Sequence, residues 1–191
     1  MRKAVFLDRD GVINHGGQIN RPEEVHVYPQ AIEAIKRLKA AGYKVVVVTN
    51  QGGLGEDFNG RVLWRKAPLN RQHLEDIHEE LLRQLGPEAQ PDLIKVCPHA
   101  TFLNCSCRKP KPGMIRSAAR ELDLDLAASY IVGDRTTDLE AGLAAGVQPI
   151  LVLTGDGESA RDMWEGNAPV TQDVLAAADL ILAGNGATMR G

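Results

Sequence analysis

The 191-residue sequence has no apolar run near the ~20 consecutive residues of a membrane helix, only three cysteines, few aromatics (4%), and a net charge of just -3. The first absence excludes a transmembrane helix. The N-terminus begins Met1-Arg2-Lys3, but only Ala4–Leu7 precede the charged Asp8. That is shorter than the roughly 7–15 apolar residues of a signal peptide, so a cytoplasmic protein is expected. In a reducing compartment so few cysteines are thiols or metal ligands, not a disulfide framework. The weak net charge and the lack of any strip mixing aromatic and basic residues exclude a nucleic-acid or membrane partner. Anions should bind only at local cationic sites.

What remains is an ordinary globular composition, 43% hydrophobic and 25% charged, long enough for one α/β domain with a sizeable core. Short apolar runs at Ala4–Leu7, Lys44–Val48, Leu93–Val96, Tyr130–Val132 and Ile150–Leu153 predict buried strands. Amphipathic segments at Pro29–Ala41, Arg71–Leu85, Pro112–Leu122 and Thr137–Ala145 predict helices between them. This alternation predicts a doubly wound parallel sheet, whose ligands bind beyond the carboxyl ends of the strands. A single domain over 1–182 is expected, with a disordered tail at 183–191 and no closing helix after Leu180-Ile181-Leu182. A monomer is the default.

The chemically interesting residues all fall at predicted strand ends. Asp8 and Asp10, two apart in an extended segment, face the same way, and Gly11 lets the chain turn away. Asp134 arrives from another strand, and Thr49, Asn50, Arg108 and Lys109 reach the same rim. One aspartate at a strand end is ordinarily a cap or turn former. Three carboxylates gathered beside two cations and a hydroxyl point instead to Mg²⁺ and a phosphate.

Every cysteine lies in Cys97-Pro98-His99 or Cys105-Ser106-Cys107, separated by five residues. Cys97, His99, Cys105 and Cys107 supply the four ligands of a closed, structural Zn²⁺ site, although the short gaps differ from those of common zinc fingers. Free buried cysteines are the alternative. Zinc would pin a loop too polar to hold itself by packing, and with it Arg108 and Lys109.

Taken in order and spacing, Asp8-Arg9-Asp10-Gly11-Val12-Ile13, Thr49-Asn50-Gln51, Arg108-Lys109-Pro110 and Gly133-Asp134-Arg135 with Asp138 resemble the four motifs of the haloacid dehalogenase (HAD) superfamily phosphatases. The resemblance covers residues 4–155. It implies a HAD-like Rossmannoid fold, capless, with catalytic Asp8, Asp10, Thr49 and Lys109. Asp8 would be the nucleophile and Asp10 the general acid and base. Asn50, Arg108 and Arg135 would bind substrate, and Asp8, the Asp10 carbonyl and Asp134 would hold Mg²⁺. Asp138 would orient the loop or a metal-bound water. The zinc loop followed by Arg108-Lys109-Pro110 is similar to a small branch acting on phosphorylated metabolites such as a heptose bisphosphate or histidinol phosphate. Lys109–Met114 and Leu74–His78 resemble the sugar-specific members; the gap from His99 to Cys105 and Gly53-Leu54-Gly55 lean toward the histidinol-phosphate side. Residues 56–70, with Arg61, Trp64, Arg65 and Lys66, look like an insertion, either a solvated loop or a partial lid. Selectivity is expected from segments 14–25, 52–70 and 98–110.

Overall fold

In the computed structural model, which describes residues 1–64 and 67–187 with side chains as far as Gly184, the apolar run Ala4–Leu7 is the central strand β1. The remaining elements are α1 (Pro29–Ala40), β2 (Lys44–Asn50), α2 (Arg71–Leu85), β3 (Leu93–Cys97), α3 (Gly113–Leu122), β4 (Tyr130–Gly133), α4 (Thr136–Ala145), β5 (Gln148–Val152), α5 (Gly157–Met163), β6 (Val170–Thr171) and α6 (Val174–Ala187). The six strands pair in the order β3-β2-β1-β4-β5-β6, every ladder parallel.

Alternation along each strand divides the core in two. Val5, Leu7, Val45 and Val47 point into one apolar cluster with Ile35 and Leu38 of α1, Ile77 and Leu81 of α2, and Ile181 of α6. Ala4, Phe6, Val46 and Val48 point the other way, onto Met114, Ile115 and Ala118 of α3 and Ala141 of α4. Helices cover both faces, so β1 (Ala4–Leu7) and Val45–Val48 of β2 carry apolar residues on both sides. The chain winds outward from β1 to β3 on one side and from β4 to β6 on the other. The reversal falls between β1 and β4, where a crevice opens beyond the strand ends.

The sheet is larger than the sequence predicts. The two-residue β6 and the seven-residue α5 are too short to give a periodic signal. The expected missing closing helix is present: α6 buries Val174, Ala177, Ala178 and Ile181, and Arg37 of α1 pairs with its Asp179 at 3.0 Å. Asp173 caps it, accepting from the Leu175 and Ala176 N–H groups at 2.9 Å each. The helix runs through Ala187, so residues 183–187 of the expected disordered tail are helical backbone. Positions 188–191, and Arg65 and Lys66, lie outside the described residues. No helix among the described residues is long and apolar enough to cross a membrane.

Candidate active site

Asp8 and Asp134 leave the ends of β1 and β4, the two strands flanking the reversal, and the Asp8 N–H donates to the Val132 carbonyl at 3.1 Å. Oxygens of Asp8, Asp134 and Asp138 lie within 4.8 Å of one another, all buried. Lys109 is the one cation inserted among them. Its Nζ lies 2.7 Å from Asp8 Oδ1 and 2.5 Å from Asp138 Oδ1, and donates to the Val48 carbonyl at 2.8 Å. Burial works against the lysine charge, but Asp138 and Asp8 outweigh it and raise its pKa.

One lysine does not balance three carboxylates. Burial first, then Asp138 and Asp10, push Asp8 up to about 6 against the pull of Lys109. Burial and the Asp8 charge push Asp134 up to about 7. Asp134 Oδ2 accepts from the Asp156 N–H at 2.9 Å, while its Oδ1 is buried with no hydrogen-bond partner. A hard divalent cation satisfies that oxygen and offsets the excess negative charge, so the donor set fits Mg²⁺. Two glycines make the room. A Cβ on Gly11 or on Gly155 would lie 2.1 Å from Asp134 Oδ2, and both have positive φ, +92 and +62.

Asp10 stands apart from this cluster. Arg9, whose side chain is fully buried, clamps it from Nε and one guanidinium NH₂, at 2.9 and 2.8 Å. Asn14 and Gln51 donate to its two oxygens at 3.1 Å each, and Gln51 also donates to Thr49 Oγ1 at 2.8 Å. Beneath Arg9, His78 of α2 approaches to 3.5 Å; burial and the guanidinium push its pKa down to about 4, so the imidazole is neutral at pH 7. Arg9, Asn14 and Gln51 were missing from the sequence-based site, although Arg9 and Gln51 lie inside its motifs. The Asn50 side chain donates to the Lys109 carbonyl and accepts the Lys109 N–H, at 3.1 Å each. Asp138 positions Lys109 and closes the first turn of α4 by accepting the Arg135 N–H at 3.1 Å.

The cysteine loop gathers as its spacing predicts. Cys97 Sγ lies 3.6 Å from Cys105 Sγ, 3.3 Å from Cys107 Sγ and 3.7 Å from His99 Nδ1. His99 Nδ1 lies 3.0 Å from Cys107 Sγ. A bond from the Cys107 thiol pulls Cys97 down to about 5 and pushes Cys107 up. Such proton sharing between close thiols is what a thiophilic cation replaces. Three sulfurs and one imidazole at these separations fit the ~2.3 Å Zn–S bonds of a tetrahedral site.

Asp8, Asp10, Thr49, Asn50, Arg108, Lys109 and Arg135 all line one cleft of ≈ 520 Å³. Its walls come from Gly17–Asn20, Gln51–Gly53, Trp64, Pro68, Leu69 and Thr101, which fall on the three segments expected to set selectivity. Arg108 donates to the His99 carbonyl at 2.7 Å, and its Nε is buried without a partner. Arg135 is the most solvent-facing member and pairs with Asp156 at 2.7 Å. Of the described part of segment 56–70, residues 58–63 are exposed, while its first residue is anchored. Glu56, buried, donates its N–H to the Pro98 carbonyl at 3.2 Å and accepts from Ala100 N–H at 2.9 Å. The segment is stitched to the cysteine loop and carries Trp64 into the cleft wall.

A doubly wound sheet with paired carboxylates at its reversal, a buried lysine and, among the described residues, no cap domain over the cleft defines a hydrolase of the HAD type. Comparison with known proteins agrees: a model described as haloacid dehalogenase-like hydrolase matches residues 5–65, and one described as HAD-hydrolase-like matches residues 106–178. The chain is 40% identical over 186 residues to the D-glycero-beta-D-manno-heptose-1,7-bisphosphate 7-phosphatase of Bordetella bronchiseptica, spanning 94% of this chain and 98% of that one. It is 38% identical to the protein of the same name from Pseudomonas putida, over 92% and 96%. The crystal structure of the B. bronchiseptica D,D-heptose 1,7-bisphosphate phosphatase with magnesium and phosphate superposes with a TM-score of 0.84 at 36% identity, over 95% of this chain and 99% of that one. The chain belongs to the haloacid dehalogenase-like hydrolases, in the branch of these heptose-1,7-bisphosphate 7-phosphatases.

Proposed function

We propose that the protein is a Mg²⁺-dependent phosphomonoester hydrolase that removes the C7 phosphate of D-glycero-D-manno-heptose 1,7-bisphosphate. The observation that carries this is the buried Asp8–Lys109–Asp138 arrangement beside the partnerless Asp134 oxygen, in a chain matching phosphatases of that name along almost its whole length.

Asp8 attacks phosphorus, and an aspartyl–phosphate bond forms as the bond from phosphorus to the C7 oxygen breaks. Asp10, fixed by Arg9, Asn14 and Gln51, gives a proton to that departing oxygen. It then takes a proton from the water that hydrolyses the aspartyl phosphate, releasing phosphate and restoring Asp8. Thr49 and Lys109 hold the equatorial oxygens of the transferring group. Asp8, the Asp10 carbonyl and Asp134 would hold Mg²⁺, which supplies positive charge between two anions that otherwise repel. Cys97, His99, Cys105 and Cys107 would hold a structural Zn²⁺ that fixes the loop bearing Arg108 and Lys109. Arg108, with its unpartnered Nε, takes the C1 phosphate at the far end of the substrate, with Arg135 at the open rim. The cytoplasm, where thiols stay reduced for metal binding, is the fitting compartment, and a monomer is the proposed state.

Phosphorus NMR tests the assignment. With Mg²⁺, the C7 monoester signal should vanish while the C1 signal persists. Loss of the C1 phosphate, or a higher kcat/KM on histidinol phosphate, would overturn it.

A further inference from the structure

The reaction needs phosphate chemistry at one end of the cleft, and a capless site must recognise the sugar with its walls alone. Most of the wall is polar or small: Gln18 and Asn20 on one segment, Gly52 and Gly53 on another, Thr101 on the cysteine loop. Among the described lining residues there is one aromatic, Trp64. It is held in place by backbone. Gly55, at φ +63, lies so close that a Cβ there would sit 2.8 Å from Trp64 Cδ2 and 3.0 Å from both Cε3 and Cγ. Those three atoms belong to the indole ring, so Gly55 backs one side of it. The neighbouring Leu63 N–H donates to the Gly55 carbonyl at 2.8 Å, and Glu56 ties the same segment to the cysteine loop. Glu56 is anchored in turn by Arg71 of α2 at 2.6 Å.

We infer that Trp64 is a specificity-determining residue: its indole packs against the C–H face of the sugar ring while the hydroxyls face polar wall groups such as Gln18 and Asn20. A pyranose has one relatively apolar face of C–H bonds, and an indole is a large amphipathic surface for it that loses little side-chain entropy on binding. A rigidly backed ring gains more than a mobile one, since the ordering cost is already met in the free protein. The Trp64 side chain thereby does for the sugar part of what a cap would do, without sealing the cleft. This inference rests on the proposed sugar-phosphatase activity.

Two measurements test it together. Trp64→Ala should raise KM for heptose 1,7-bisphosphate about tenfold, with kcat within about twofold. Its kcat/KM on phosphoserine, which has no ring, should not change, and Trp64→Phe should recover part of the loss. The chain has only two tryptophans, so a Trp164→Phe variant reports on Trp64 alone. Its fluorescence should shift saturably with heptose 1-phosphate and not with inorganic phosphate. Equal losses on both substrates, an unchanged KM, or the same shift with phosphate alone would overturn the role of Trp64. Wild-type protein inert toward the bisphosphate but active on phosphoserine would instead overturn the substrate reading.

Discussion

Asp134 is shaped by residues that do no chemistry. Gly11 and Gly155 close on its carboxylate from two sides, each leaving no space for a methyl group. Gly155→Ala should therefore cost about 1–3 kcal/mol through backbone strain at positive φ, with a further loss of Mg²⁺ affinity as Asp134 is displaced. A thermal melt with and without Mg²⁺ checks both parts. Lys109 offers a second test at this scale. Lys109→Met should lower kcat about 100–1,000-fold, the range for removing one preorganised donor from a developing charge, and steady-state kinetics read it directly. The charged residues of both sites were legible in the sequence because acids at strand ends and a four-ligand spacing each carry a chemical meaning. Arg9, Asn14 and Gln51 were not, since their hydrogen bonds to Asp10 depend on tertiary geometry that spacing does not encode.

At the scale of elements, the cysteine loop and the stretch from Glu56 to Phe58 form one unit. Glu56 bonds to Pro98 and Ala100, and Phe58 packs on His99 at 5.2 Å between ring centroids. Asn50 then locks the Lys109 backbone to the end of β2. Removing one ligand should loosen all three. Cys105→Ser protein, purified without added zinc, is expected to lose the single metal equivalent of the wild type, read by elemental analysis, and to lose activity with it. Wild-type protein that is metal-free, folded and active would rule out the structural zinc. The strands and helices of the first four βα steps, and strand β5, were legible from apolar runs and caps. Helix α6 had its signal too, with Val174, Ala177, Ala178 and Ile181 on one face, but Gly184 and Gly186 at its end made the segment look like a tail. Strand β6 has two residues, below the length at which alternation means anything.

Across the whole molecule, the fold gathers negative charge at one point and leaves its compensation to a cation. In the metal-free protein, burial holds Asp8 at about 6 and Asp134 at about 7, each raised above an ordinary 3.8. A raised carboxyl pKa means that the folded state binds protons more tightly than the unfolded one. The stability it contributes is complete below the unfolded value and is lost as pH rises through the folded values. Metal-free protein should therefore weaken from about pH 4 to about pH 7. Mg²⁺ needs deprotonated ligands, so its stabilisation should grow over the same window. Melting temperatures with Mg²⁺ and with chelator should differ more near pH 8 than near pH 5; equal differences would contradict the carboxylate site.

The central claim is that Asp8, at the end of the central strand, carries the phosphoryl group. Rapid quenching of a single turnover of heptose 1,7-bisphosphate, followed by peptide mass spectrometry, tests it most directly. A transient, hydroxylamine-labile phosphoryl group on the peptide containing Asp8 is expected, forming and decaying fast enough to account for kcat and absent from Asp8→Asn. Full turnover with no covalent intermediate, or turnover surviving in Asp8→Asn, would contradict it.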